Sequence, residues 1–263
     1  MLSIAAFPNN FEYDKLLGVK YSLLIVLMVW THLVWGGDVA VVTVPKAGTY
    51  LIKKLLEQLG GDCPIYHVDE FYESKTLQEQ YSKRILLVRD PRDVCVSWVR
   101  YVVSGKADQV DQNIKALSSA VKEHWRALGM DKQLEYVIRG NSPQAREAGV
   151  HPTLIYFPLF PYQEAARHAK DEGTLVCKFE NLIGPQGGGS LSAQRSEVEK
   201  ILCFLQIEVE AEKLQSVLEG LFGGTRTFSH GQIGGWKKVL SRENHKLFKK
   251  RHEKLLLTFG YPT

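Results

Sequence analysis

Val39-Ala40-Val41-Val42-Thr43-Val44-Pro45-Lys46-Ala47-Gly48-Thr49-Tyr50 decides the architecture, because a β-branched run passes through a short loop into a helix. The run Val39 to Val44 is short and bounded by punctuation, the pattern of a buried strand. Beyond the loop, Leu51, Ile52, Leu55, Leu56 and Leu59 fall on one helical face, and Gly60-Gly61 ends the helix. A helix with open first-turn N–H groups, preceded by a glycine and a lysine, suits phosphate. The order differs from the nucleotide P-loop, where the lysine directly follows the second glycine. Spacing alone fits phosphate binding and an ordinary strand-turn-helix equally.

A second unit follows: the strand Arg84 to Val88, the loop Arg89-Asp90-Pro91-Arg92-Asp93, then a helix from Val94 to Val103 that is apolar nearly all round. Two such units predict a parallel sheet with helices on its faces. Pro64 to Val68 reads as a short extended segment ending at the same sheet edge, and Asp108 to Met130 as one long amphipathic helix. Pro143, Pro152, Pro158 and Pro161 are expected to break the chain into loops, and Thr174 to Phe179 is a third strand. The glycine-rich turn Gly184 to Gly189 reads as a flexible connector, and a helix carrying Val198, Ile201, Leu202 and Leu205 plus two more helices close the chain. The aromatic stretch Tyr156 to Tyr162 fits an apolar pocket wall and a core segment equally.

The bulk numbers set the class. At 263 residues, 44% hydrophobic and 24% charged, the chain supports one sizeable globular domain. The net charge of +4 is modest, and the basic residues thicken only in Lys237-Lys238 and Lys249-Lys250-Arg251; they could help attract an anionic ligand, but a solvated helix face accounts better for most of them, and no nucleic-acid partner is expected. Cys63, Cys95, Cys177 and Cys203 form no Cys-x-x-Cys, so reduced, buried thiols are expected. Residues 1 to 36 stand apart as an apolar segment, with Leu16 to Trp35 near the roughly 20 residues a bilayer needs. That segment fits a signal peptide, a signal anchor or membrane segment, or a buried helix. Localisation is accordingly cytoplasmic or membrane-associated.

In an open parallel sheet, ligands bind at the carboxyl ends of the strands, which brings Lys46, Thr49, Arg89 and Ser97 toward one site. An Arg at a strand end and a Ser further along the next helix suit a phosphate clamp; pairing of Arg89 with Asp93 across the turn is the plainer alternative. Pro45 to Tyr50, Arg89 to Ser97, and Gly231-Gln232-Ile233-Gly234-Gly235-Trp236-Lys237 together resemble the signature segments of the cytosolic-type sulfotransferases. Phe179-Glu180-Asn181-Leu182 resembles a further segment of that family, so the resemblance runs in order from about residue 38 to 262 and marks 37 to 263 as the sulfotransferase domain.

The resemblance implies a three-layer, P-loop NTPase-like α/β fold around a central parallel sheet. It also implies transfer of a sulfuryl group from 3'-phosphoadenosine 5'-phosphosulfate (PAPS) to a hydroxyl acceptor, a small molecule or a glycan. Carried over by position, Pro45, Lys46, Ala47, Gly48, Thr49 and Tyr50 hold the 5'-phosphosulfate, with Lys46 on the oxygen bridging sulfur and phosphorus. Arg89 and Ser97, with Ser229, His230 and Gly231, fall where the family holds the 3'-phosphate, and His67 where it has its catalytic histidine. An imidazole there acts as general base toward the acceptor hydroxyl. No metal is expected, since no carboxylate and histidine cluster at ligand spacing occurs.

The chain departs from the pattern at Ser229-His230, where the family usually has an Arg-Lys pair gripping the 3'-phosphate; Arg226 lies nearby. Tyr50-Leu51 stands where Thr-Trp is common, which leaves Tyr50 to replace the aromatic that stacks on adenine. The short stretch from Lys46 to His67 is closer to compact bacterial members. These departures keep open a sulfotransferase-fold protein that binds a nucleotide or another anion without catalysis. A P-loop kinase of small metabolites is the further alternative, and it needs a lysine after the glycine that this loop lacks.

Overall fold

The computed structural model describes residues 38–156, 158–224 and 231–263. Its sheet has four parallel strands in the order β2-β1-β3-β4, with β1 spanning Val39–Thr43, β2 Ile65–His67, β3 Lys83–Val88 and β4 Thr174–Lys178. Every residue of β1 is buried, because the strand lies between two neighbours and under helices on both faces; this is why it reads as a continuous apolar run. Helix α1 (Thr49–Leu59) returns the chain to the sheet, burying Leu51, Ile52, Leu55, Leu56 and Leu59. Gly60 ends it at φ 95°, where its N–H reaches the Glu57 and Leu56 carbonyls. Each fully buried leucine or isoleucine of that stripe contributes roughly 1.5–3 kcal/mol.

The strand order sets the position of the site. From β1 the chain crosses to β2 on one side and then to β3 on the other, so β1 and β3 flank a switch point whose crevice opens at their carboxyl ends. The register is firm: Thr43 lies opposite His67 on one side and Leu87 on the other, and Val88 lies opposite Lys178. The loops that follow β1, β2, β3 and β4 therefore leave one edge.

Short helices α2 (Val68–Glu73) and α3 (Lys75–Gln80) follow β2, and α4 (Pro91–Val103) follows β3. Asp90 caps α4 by accepting from the Arg92 N–H at 2.9 Å, and Pro91 occupies the first turn, where its missing N–H is harmless. Burial of α4 on nearly every side matches its sequence.

Three expectations about secondary structure and turns are corrected. The long helix over Asp108 to Met130 is instead α5 (Ala107–Val110), α6 (Gln112–Lys115) and α7 (Ser119–Ala127), with α8 (Gly129–Arg139) beginning at Gly129. Side-chain caps divide it: Asp111 accepts from the Asn113 and Ile114 N–H groups, Ser118 from that of Val121. Two of the prolines start helices rather than loops, Pro143 opening α9 (Pro143–Glu147) and Pro152 opening α10 (Pro152–Tyr156), while Pro161 lies in the first turn of α11 (Phe160–His168). The glycine-rich turn is packed rather than flexible. A 3-10 turn spans Pro185–Gly187, Gly187 O accepts from Ile233 N at 3.0 Å, and a Cβ on Gly187 would meet Gly231 O at 2.7 Å.

After β4 come α12 (Phe179–Leu182), α13 (Leu191–Leu205), α14 (Ala211–Gly220) and α15 (Arg242–Thr258). All four cysteines are free; Cys63, Cys95 and Cys177 are buried, whereas Cys203 is exposed, against expectation. Among the described residues no helix is long and apolar enough to cross a membrane. The apolar run from Leu16 to Trp35, with any membrane association it would bring, lies outside the described residues.

Candidate functional site

A cavity of about 860 Å³ opens at the carboxyl edge of the sheet and is lined by Lys46, Gly48, Thr49, His67, Arg89 and Ser97 among others. Pro45, Tyr50 and Gly231 line it too, so the strand order gathers residues far apart in sequence. Ala47 is fully buried and gives its N–H to Val44 O at 3.0 Å, closing the turn instead. Ser229, His230 and Arg226 lie outside the described residues.

The loop after β1 is shaped for an anion. Gly48 takes φ 113°, and a Cβ there would come within 2.8 Å of the Phe179 ring, so both conformation and space require glycine. No side chain caps α1, and the N–H groups of Leu51 and Ile52 turn back to Gly48 O. The N–H groups of Gly48, Thr49 and Tyr50 carry no hydrogen bond among the described residues, which leaves a cluster of donors at the positive end of a helix.

Lys46 adopts φ 66°, a left-handed conformation that costs a non-glycine residue roughly 1–2 kcal/mol. Its ammonium lies 3.7 Å from the Tyr101 ring centre and, among the described residues, pairs with no carboxylate. Burial, then Arg89 and Lys106, lowers its pKa to about 8. A half-buried, partly desolvated cation beside two others is costly unless an anion joins them.

Arg89 sits across the crevice, its guanidinium 4.2 Å from the Phe179 ring centre. One terminal nitrogen donates to Gln232 O at 2.9 Å and the other reaches Lys46 O at 3.5 Å; its Nε is buried without a partner. Arg89 therefore does not take up Asp93. The Asp93 carboxylate instead accepts from the Gly234 N–H at 2.7 Å and the Trp236 N–H at 2.8 Å, pinning the segment from Gly231 to Trp236 against α4. Burial raises the Asp93 pKa, against the lowering effect of Arg89 and both amides. Arg92, 1% exposed, makes a two-pronged pair with Asp90 and stacks 3.9 Å from the Trp236 ring centre, which fixes the loop after β3.

His67 ends β2 on the cavity wall. Its Nδ1 lies 3.4 Å from the Thr43 hydroxyl, which lies 2.9 Å from the Thr49 hydroxyl, and its Nε2 has no hydrogen bond among the described residues. Two carboxylates, Asp69 and Glu70, follow on α2, and Glu70 accepts from the His67 N–H at 3.4 Å.

Several supporting groups escaped the sequence reading. Tyr162 donates its hydroxyl to Arg89 O and accepts from Arg89 N at 3.1 Å. Leu159, Pro161 and Tyr162 are buried and serve the core, whereas Phe160 is exposed. Glu180 accepts from Asp90 N at 2.7 Å and from the Tyr261 hydroxyl at 3.0 Å. The resemblance flagged Phe179 and Glu180 as a segment, but only the fold shows what they hold. Lys54 donates to Gly220 O at 2.6 Å and Gly223 O at 3.1 Å, tying α1 to the end of α14. Among the described residues no group of three or more His, Cys, Asp or Glu side chains is arranged to hold a metal ion.

No known family's sequence pattern matches the chain, and neither does any curated protein sequence. Solved structures do match. Mouse sulfotransferase SULT7A1, complexed with PAP, superposes with a TM-score of 0.58 at 16% identity, over 86% of this chain and 89% of its own. Retinol dehydratase, in complex with androsterone and the inactive cofactor PAP, superposes with a TM-score of 0.51 at 13% identity, over 84% of this chain and 80% of its own. Four parallel strands, a strand-end crevice and this likeness over most of both chains agree: the chain has the fold of the sulfotransferases.

Proposed function

We propose that the protein transfers a sulfuryl group from PAPS to a hydroxyl acceptor, releasing adenosine 3',5'-bisphosphate (PAP). The observation that carries this reading is the set of unneutralised donors on one cavity wall: Lys46 without a carboxylate, Arg89 with a buried, unpartnered Nε, and three open amides at the start of α1. Such a set fits a ligand with anionic groups at two separate points. The neighbours of the same fold carry PAP in their structures, which supports that choice of donor.

In this reading the α1 amides and Thr49 hold the 5'-phosphosulfate, and Arg89, Ser97 and Gly231 hold the 3'-phosphate. Lys46 neutralises charge developing on the bridging oxygen as its bond to sulfur breaks. His67 takes the acceptor's hydroxyl proton at Nε2 as the acceptor oxygen bonds to sulfur, and preset positive charge stabilises the loose in-line transition state. Lys46 and His67 are the catalytic residues; the chemistry asks for no metal.

Calorimetric titration with adenosine 3',5'-bisphosphate, AMP and ATP tests the donor, and the bisphosphate is expected to bind at least tenfold more tightly than AMP. Equal or absent binding of all three refutes the assignment, and tight magnesium-dependent ATP binding supports the kinase. For the chemistry, sulfuryl transfer from PAPS to a panel of phenols, alcohols and glycans is measured. Lys46→Ala and His67→Ala are expected to abolish transfer, the His67 change sparing bisphosphate affinity. An intact rate in His67→Ala removes the base assignment; bisphosphate binding without transfer to any acceptor favours the binding-only alternative.

A further inference from the structure

Arg100 lies on α4, three residues beyond Ser97 and seven beyond Asp93, so all three fall on one helix face, and all three line the cavity. The other arginines of this region are engaged. Arg92 is spent on Asp90, and Arg89 is divided between Gln232 O and the Phe179 ring. Arg100 is half-buried as a residue, and among the described residues its guanidinium has no carboxylate within 4.0 Å and no hydrogen bond. A cation on a cavity wall without a counter-charge is a ready partner for an anion, and its planar fork suits phosphate.

We propose that Arg100 binds the donor's 3'-phosphate beside Ser97 and supplies the cation that Ser229-His230 does not; this rests on the donor reading above. Side chains three apart on a helix have Cβ atoms roughly 5–6 Å apart, so a group bonded to the Ser97 hydroxyl is within reach of the Arg100 fork. A 3'-phosphate carries up to two negative charges, and Arg89, already holding Gln232, offsets only one. Arg100 brings the second from the same helix as Ser97.

The test is calorimetric titration of the full chain and of Arg100→Gln and Arg100→Lys with adenosine 3',5'-bisphosphate and with AMP, at fixed salt. Loss of a charge-assisted contact is expected to weaken the bisphosphate roughly 10- to 100-fold in Arg100→Gln while AMP changes less than about threefold. Arg100→Lys, which keeps the charge but not the fork, is expected to fall between. Unchanged bisphosphate affinity in Arg100→Gln overturns the proposal. An equal loss for both nucleotides does so too, because Arg100 would then act elsewhere on the ligand or on the fold. Should the unaltered chain fail to distinguish bisphosphate from AMP, the donor reading itself fails, an outcome visible before any substitution is made. An unchanged Arg100→Gln affinity for the bisphosphate, coupled with altered acceptor preference in the transfer assay, would place Arg100 on an acidic acceptor group instead.

Discussion

Gly48→Ala perturbs the anion loop through a single added carbon. At φ 113° a Cβ costs roughly 1–2 kcal/mol in backbone strain. The same atom arrives 2.8 Å from Phe179 Cδ2 and 3.4 Å from its Cε2, well inside the roughly 3.5–4.0 Å at which carbons attract. Phe179 cannot withdraw freely, being 4% exposed with the Arg89 guanidinium 4.2 Å from its ring centre. Overpacking of this kind costs roughly 1–3 kcal/mol, so the substitution is expected to lower stability by about 2–5 kcal/mol in total. Urea denaturation measures that loss, and titration with adenosine 3',5'-bisphosphate measures the accompanying displacement of Arg89 as weakened binding. The two causes separate in a double-mutant cycle, because Gly48→Ala in a Phe179→Leu background should cost only the backbone share. A loss below about 1 kcal/mol with unchanged affinity would refute the reasoning, and equal costs in both backgrounds would remove its steric half.

Other expectations follow from neighbouring groups. Folding lowers the Lys46 pKa to about 8, so Lys46 destabilises the fold in full below pH 8, and that penalty fades as pH rises from about 8 toward 10.5. An anion needing charged Lys46 should bind evenly near pH 7 and up to tenfold more weakly per unit above pH 8; a profile shared with Lys46→Met would count against the contact. Asp93→Ala leaves the Gly234 and Trp236 N–H groups without their acceptor and should cost roughly 1–3 kcal/mol in denaturation, with weaker bisphosphate binding; unchanged affinity would show that the pinned segment does not serve the site. Lys54→Met, which frees the carbonyls of Gly220 and Gly223, should lower the melting temperature by a few degrees, and a melting curve superimposable on that of the unaltered chain would deny the tie between α1 and α14.

The sheet and its crevice were legible because parallel strands are buried on both faces. Val39 to Thr43 and Ile85 to Val88 therefore stand out as β-branched or leucine-rich runs, ended by loops whose Gly, Pro and Asp announce the helices that follow. The stretch from Asp108 to Met130 misled because helical periodicity continues across breaks that only local capping reveals. Asp111 and Ser118 are polar residues in a polar stretch, and their role depends on backbone N–H groups turning toward them. That Lys46, Arg89, Ser97 and His67 would share one cavity wall could be read because each lies at or just past a strand end or on the helix that follows. Their supports could not. Tyr162 lies 73 residues from Arg89 and Trp236 lies 143 from Asp93, and no local pattern encodes contacts at such separations. The glycine-rich turn failed for the same reason, since its tightness comes from Gly231 packing against Gly187.

The three groups His67, Thr43 and Thr49 have a directional consequence. A hydroxyl has one proton to give, so once an anion accepts the Thr49 proton, Thr49 must accept from Thr43, and Thr43 in turn from His67 Nδ1. On the proposed donor reading, that order of donation would favour the imidazole tautomer with its hydrogen on Nδ1 and its lone pair on Nε2. In the proposed reaction, filling the loop after β1 would set the direction of a hydrogen-bond chain running to β2, so that His67 presents its Nε2 lone pair once the donor is bound. In that reaction a hydroxyl compound arriving first would meet a histidine whose tautomer is not yet chosen, and the donor would have reason to enter before the acceptor.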